Sequence, residues 1–240
     1  MLGDGPVRLR PLALSDAPAW RELKERNRAW LTRWEATVPP GDTSGRITFR
    51  QMVRRLRTEA LAGRMLPFAI DYAEPPDPGD LPAAGLAENE LPGLSRRGRH
   101  PAGKPAGKPA APAAHRLVGQ LTVSSITWGS LRSANVGYWV DETVAGRGIT
   151  PTAVALAVDH CFRAAGMHRI EVCIRPENAA SLRVVHKLGF RSEGLRRAYL
   201  HIDGDWRDHE AFALTAEEVP DGLLARWHVT LSSTGTTPAG

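Results

Sequence analysis

The chain has 240 residues, 42% of them hydrophobic, with a formal net charge of +5 and a sequence pI of about 9.7. That is apolar enough for a real core, while the absence of an apolar run of about 20 residues or of an apolar N-terminal leader predicts no membrane span and no secretory signal, so residence in the cytoplasm is expected. Two cysteines make no disulfide framework, the eight histidines lack metal-ligand spacing, and the mild basic excess comes without zinc-finger or RNA-recognition patterns, so no metal is expected and the charge favours acidic ligands.

Val7-Arg8-Leu9-Arg10 alternates as a first strand, which Pro11-Leu12 ends. Ser15 or Asp16 caps the helix that follows, whose Trp20, Leu23, Asn27, Trp30, Leu31 and Trp34 lie mostly along one side. Trp20 and Trp30 read as core. Trp34-Glu35 falls at the helix end, just before Val38-Pro39-Pro40-Gly41, where an aromatic and a carboxylate are placed to line a pocket. A second helix covers about Ile47 to Leu61, with Gly63 ending it, and Leu66 to Tyr72 is a second strand.

Glu74 to Ala114 breaks the pattern. It holds nine of the 19 prolines and no Val, Ile, Phe, Tyr or Trp. Such a segment buries too little apolar area to offset the entropy of ordering, so a disordered insert is expected at 74–114, within a single domain spanning 1–229. A linker between two domains is the alternative, but neither flank is self-sufficient, since the strands on its two sides need each other. Arg116 to Ile126 is the third strand and Ala134 to Val140 the fourth.

The next stretch organises the rest. Gly146 and Gly148 remove two Cβ atoms where the chain turns, Thr150 is placed to cap a helix, and Pro151 suits its first turn. Ala153, Val154, Ala157, Val158 and Cys161 continue as one apolar face. A glycine-bearing loop feeding a helix N-terminus presents free N–H groups and the positive end of a helix dipole, which makes an anion site and above all a phosphate site. His168 to Arg175 is the fifth strand; Asn178 caps a short helix through Lys187 that Gly189 terminates. Phe190, Ala198 to Ile202 and His209 to Leu214 read as the last strands, with a Gly204-Asp205 turn between the final two, and 230–240 as a disordered tail. Cys161 and Cys173 read as packed thiols.

This β-α-α-β-β-β-α-β-α-β-β order, with the loop at Gly146 and Gly148, resembles the GNAT superfamily of acetyl-CoA-dependent N-acetyltransferases. Its usual loop pattern is Gln/Arg-x-x-Gly-x-Gly/Ala; here Thr143 stands at the Gln/Arg position. Asn178-x-x-Ser181-x-x-Val184-x-x-Lys187-x-Gly189-Phe190, with Glu193-Gly194, Arg196, Arg207-Asp208 and the early Trp34-Glu35, is similar to the RimJ/RimL-type ribosomal-protein N-terminal acetyltransferases.

The resemblance implies an α/β (α+β) GNAT fold, with a mixed, mostly antiparallel sheet of about seven strands, flanking helices, and a splay between the fourth and fifth strands. It implies acetyl-CoA as acetyl donor, its pantetheine arm lying in that splay beside Tyr138, Trp139 and Val140, with the N–H of Val140 as oxyanion donor. Gly146, Arg147, Gly148, Ile149 and Thr150 would hold the pyrophosphate. Asn178 would bond the cofactor arm, and Ser181 would donate a hydrogen bond to the leaving thiolate. Glu35 is the first candidate base and Glu193 the next, with Trp34, Glu35 and Glu193 on the acceptor side. A protein α-amine, with a pKa of about 7.7–8.0, needs only a weak base, whereas a lysine side chain near 10.4 needs more. The implied acceptor is therefore a protein N-terminus, with ribosome association as its corollary. A small amine such as an antibiotic or polyamine, or a non-catalytic ribosome- or RNA-associated role, are the alternatives. A monomer and a homodimer are equally compatible with this reading.

Overall fold

The structure is a computed structural model and describes residues 1–41, 47–74 and 114–234. Eight strands form one sheet: β1 (Leu2–Asp4), β2 (Val7–Pro11), β3 (Leu66–Ala73), β4 (His115–Thr127), β5 (Ser133–Val140), β6 (Arg169–Ile174), β7 (Arg191–Ile202) and β8 (Asp205–Thr215). Their spatial order is β1-β2-β3-β4-β5-β6-β8-β7, and every neighbouring pair is antiparallel except β5 with β6. The helices are α1 (Ala17–Arg26), α2 (Arg28–Thr32), α3 (Phe49–Leu61), α4 (Ile149–Arg163), α5 (Ala179–Leu188) and α6 (Leu223–Thr234).

Two apolar layers fill the faces of the sheet. On one face, Leu12, Leu23, Val53, Ala69 and Leu117 pack with Trp20, Phe49 and Trp139 beneath α1 and α3. On the other, α4 lies on the sheet and is itself covered by α5 and α6. Its residues from Ala153 to Val158 are all buried, not only those of one face. A helix that is apolar nearly all round needs cover on its outer side, and α6 supplies much of it. Asp159 of α4 accepts the N–H groups of Leu223 and Leu224 at 2.6 and 3.1 Å, capping α6 at its start.

Several expectations are corrected. The sheet has eight strands, since Leu2–Asp4 adds a short edge hairpin ahead of the first expected strand. The first helix breaks at Asn27 into α1 and α2. α4 is capped by Gly148, at φ 77°, not by Thr150, because the left-handed glycine ends the turn two residues earlier. The stretch after Phe190 is one long strand, β7, interrupted by register shifts; as an edge strand it is mostly exposed and so lacks an apolar alternation to read. The turn joining it to β8 is Asp203-Gly204 and not Gly204-Asp205, since Asp205 already belongs to β8; its φ values of 50° and 79° are the positive pair that a two-residue hairpin requires. Residues 230–234 are the last turn of α6 and not tail. The expected insert lies almost wholly outside the described residues, as does the tail beyond Thr234. Among the described residues no helix is long and apolar enough to cross a membrane.

Candidate active site

β5 and β6 pair only over Ser133–Arg169, Ala134–Ile170 and Asn135–Glu171. Beyond Asn135 they diverge, and a cleft of about 470 Å³ opens between them, walled by Tyr138 to Val140, the 144–151 turn, α5 and the end of α2. The edge of β5 that faces this gap is fixed by the alternation of an antiparallel ladder. The N–H of Asp141 donates to Val118 O at 2.7 Å, so the adjacent opposed residues, Val140 and Gly119, form a pair without mutual hydrogen bonds. The N–H of Val140 therefore points away from β4 into the gap, and so do the polar backbone groups of Tyr138. The approach at Gly119 is close: a Cβ there would stand 2.3 Å from the carbonyl oxygen of Trp139, which is why this strand position is glycine.

At the mouth of the cleft Gly146 and Gly148 both have left-handed φ, 84° and 77°. The N–H groups of residues 146 to 150 have no acceptor among the described residues, and Pro151 adds no donor to compete with them. Five unpaired amides at the positive end of the 15-residue α4 form a cradle whose chemistry suits an anion. Gly146, Gly148, Ile149 and Thr150 line the cleft. The Arg147 side chain does not; it is exposed and pairs with Glu74, so only its backbone faces the cradle.

α5 forms the opposite wall. Asn178 caps it, its Oδ1 accepting the N–H of Ser181 at 3.1 Å, which leaves its amide nitrogen without an acceptor among the described residues. The Ser181 hydroxyl lines the cleft, likewise with no partner among them, and the Tyr138 hydroxyl reaches Ser181 O at 3.4 Å. Burial pushes the Tyr138 phenol above its ordinary value and keeps it protonated. Cys161 is buried, which pushes its thiol up to about 12, and burial raises Cys173 as well, so neither is a ready nucleophile.

The remaining wall of the cleft is built by the end of α2. Trp30, Leu31, Trp34 and Glu35 line the cleft, so Trp30 belongs to the cleft wall and not to the core. Arg175, at the end of β6, donates to Arg33 O at 2.8 Å and stacks its guanidinium 5.4 Å from the Trp34 ring. Thr37 donates its N–H to His201 O at 2.8 Å, fastening the same segment to β7. Glu193 is not part of this wall. It pairs with Arg169 and Arg191 near the end where β5 and β6 are still joined, and Arg169 above all holds its carboxyl at about 2. A carboxylate so strongly held ionised is a poor base, and it lies outside the cleft lining.

A further cluster, not anticipated from the sequence, ties the break between α1 and α2 to the segment ahead of the glycine turn. Asp141 is fully buried, and it accepts from Arg26 at 2.6 Å, from Asn27 at 3.1 Å and from the N–H of Thr143 at 3.3 Å. Asn27 in turn accepts the N–H of Glu142 at 2.9 Å. The break between α1 and α2 is thus bolted to the segment that begins the cradle. Burial alone would raise the Asp141 pKa, but Arg26, Asn27 and Thr143 together hold it at about 2. A folded pKa below the unfolded value of about 3.9 contributes stability above that pH and loses it as pH falls toward 2. Between pH 5 and pH 2 the wild type is expected to lose about 2 kcal/mol more than Asp141→Asn in urea denaturation. Parallel losses in the two proteins would contradict the clasp.

Over 96% of this chain and 93% of the other, the fold superposes with a TM-score of 0.69 and 34% identity on RimJ of Mycobacterium smegmatis, solved in complex with CoA-disulfide. The chain belongs to the GNAT acetyltransferase family. The family's domain, described as Acetyltransferase (GNAT) domain, matches residues 100–191. Among curated proteins, the probable N-acetyltransferase YjcK of Bacillus subtilis is 40% identical over 99 residues, 41% of this chain and 55% of that protein. The [ribosomal protein uS5]-alanine N-acetyltransferase of Escherichia coli is 32% identical over 111 residues, 46% of this chain and 57% of that protein. The chain spans a little over half the length of these two curated relatives.

Proposed function

We propose that this GNAT protein transfers an acetyl group from acetyl-CoA to the N-terminal α-amine of a protein, a ribosomal protein being the first candidate. The observation that carries the reading is the splay itself: unpaired amides at 146–150 at its mouth, and an unpaired N–H of Val140 inside it. The cradle fits the diphosphate of coenzyme A, and the diverging strand edge fits an amide-bearing arm that completes the ladder. Support for the acceptor comes from the RimJ and uS5-alanine acetyltransferase relatives.

The chemistry then runs as follows. The amine lone pair attacks the acetyl carbonyl carbon, and the carbonyl electrons move to oxygen beside the N–H of Val140. Collapse breaks the carbon–sulfur bond, and Ser181 donates a hydrogen bond to the departing thiolate. The ammonium proton of the adduct passes to the Glu35 carboxylate, directly or through water. The expected outcome of Ser181→Ala is a fall of about tenfold in kcat with little change in acetyl-CoA affinity. Unchanged turnover would remove Ser181 from the reaction.

The deciding experiment compares kcat/KM on peptides beginning with Ala, Ser or Thr against a panel of small amines. Preference for the peptides supports this reading. Activity confined to small amines assigns the other acceptor class, and no acetyl-CoA binding at millimolar concentration assigns a non-catalytic role.

A further inference from the structure

Glu35 does not stand alone in the acceptor wall. The Lys24 ammonium, projecting from α1, forms an ion pair with the Glu35 carboxylate and lies 5.2 Å from the centroid of the Trp139 ring. Glu35 and Trp139 both line the cleft. On its other side Glu35 also lines a second cavity, of about 590 Å³, walled by Trp20, Arg21, Arg28 and Phe49 together with Lys24 itself. A carboxylate beside the face of an indole is a seat for a primary ammonium: the carboxylate takes its N–H bonds and the ring quadrupole its charge. In this structure a primary ammonium occupies that seat, and it is the chain's own.

We propose that Lys24 Nζ marks the position of the acceptor's ammonium group, and that acceptor binding displaces it. The tether holds weakly. The Lys24 and Glu35 side chains are 32% and 40% exposed, and ion pairs so open to water contribute little. The lysine stem is flexible and the second cavity gives it room to withdraw. That cavity also gives the chain behind an incoming amine a way out of the protein, so the seat suits an amine at the end of an extended chain. Lys24 acts as a threshold: an acceptor enters only if its ammonium, with the contacts its chain makes, competes with a cation already in place. The seated ammonium gives its first proton to solvent water, which frees the lone pair for attack, and Glu35 stays a carboxylate to take the second proton from the adduct. This last step rests on the acetyl-transfer reading; the seat does not.

The test is a tryptophan-fluorescence titration with propylammonium chloride, referred to potassium chloride at equal ionic strength, on wild type, Lys24→Met and Glu35→Gln. Lys24→Met is expected to bind propylammonium about three- to fivefold more tightly than wild type, as removal of a weak competing ion pair predicts, and Glu35→Gln to lose the response. Equal affinities in all three proteins, or weaker binding by Lys24→Met, would overturn the proposal. Calorimetry with acetyl-CoA on the same proteins separates the two ideas. Propylammonium binding of the expected pattern without acetyl-CoA binding leaves the ammonium seat and removes acetyl transfer; the reverse removes the seat alone.

Discussion

Val140→Pro is expected to lower kcat by about 10²–10³-fold while the protein stays folded. Proline deletes one N–H. At most positions in a sheet that would break a ladder bond, but the N–H of Val140 faces the gap and not β4, because Asp141 and Val118 form the bonded pair beside it. Trp139, the preceding residue, already has the extended backbone that a following proline demands. The substitution thus removes the group we propose as oxyanion donor and little else. Val140→Ala, which trims the side chain and keeps the N–H, provides the control and should retain most of the turnover. Single-turnover kinetics with thermal unfolding alongside checks both. A Val140→Pro protein that is folded and within threefold of wild type would show that the carbonyl is not met at this N–H.

The second large effect is on stability. Trp227→Ala is expected to cost about 3–5 kcal/mol in urea denaturation. Trp227 is only 2% exposed, and its indole N–H donates to Thr152 Oγ1 at 2.9 Å. Thr152 in turn bonds Gly148 O at 3.0 Å, and a Cβ at Gly148 would stand 3.7 Å from the indole. The tryptophan therefore fills the space behind the phosphate turn as well as covering α4. Its loss leaves a cavity under the cradle, so weaker acetyl-CoA binding is expected with the lower stability. A loss below about 1 kcal/mol would mean that α6 can settle inward to fill the space.

The parts of this protein that were legible in its sequence are those encoded locally. The Gly146–Gly148 turn, the Asn178 cap and Gly204 in the last hairpin each need particular backbone angles, and only a few residue types supply them. The alternating strands were legible wherever one face is buried. β7 was legible only in pieces because it is an exposed edge with bulges. α6 carries a helical spacing, Leu223, Leu224, Trp227 and Leu231, that could have revealed it, but the polar run of Ser and Thr at its end reads as a tail. What stayed hidden was pairing at a distance. Nothing local in Asp141 says that Arg26 and Asn27 meet it, 115 and 114 residues away. Glu35 and Glu193 look alike as candidate bases; only the fold puts one in the cleft wall and ties the other to Arg169.

Titration of acetyl-CoA into ¹⁵N-labelled protein, followed amide by amide, bears most directly on the central claim. The N–H signals of Gly146, Gly148, Ile149, Thr150 and Val140 are expected to move furthest and saturate together, since these are the groups left unpaired at the turn and in the strand gap. Binding that left those five amides in place and shifted others, or no binding at millimolar acetyl-CoA, would contradict it.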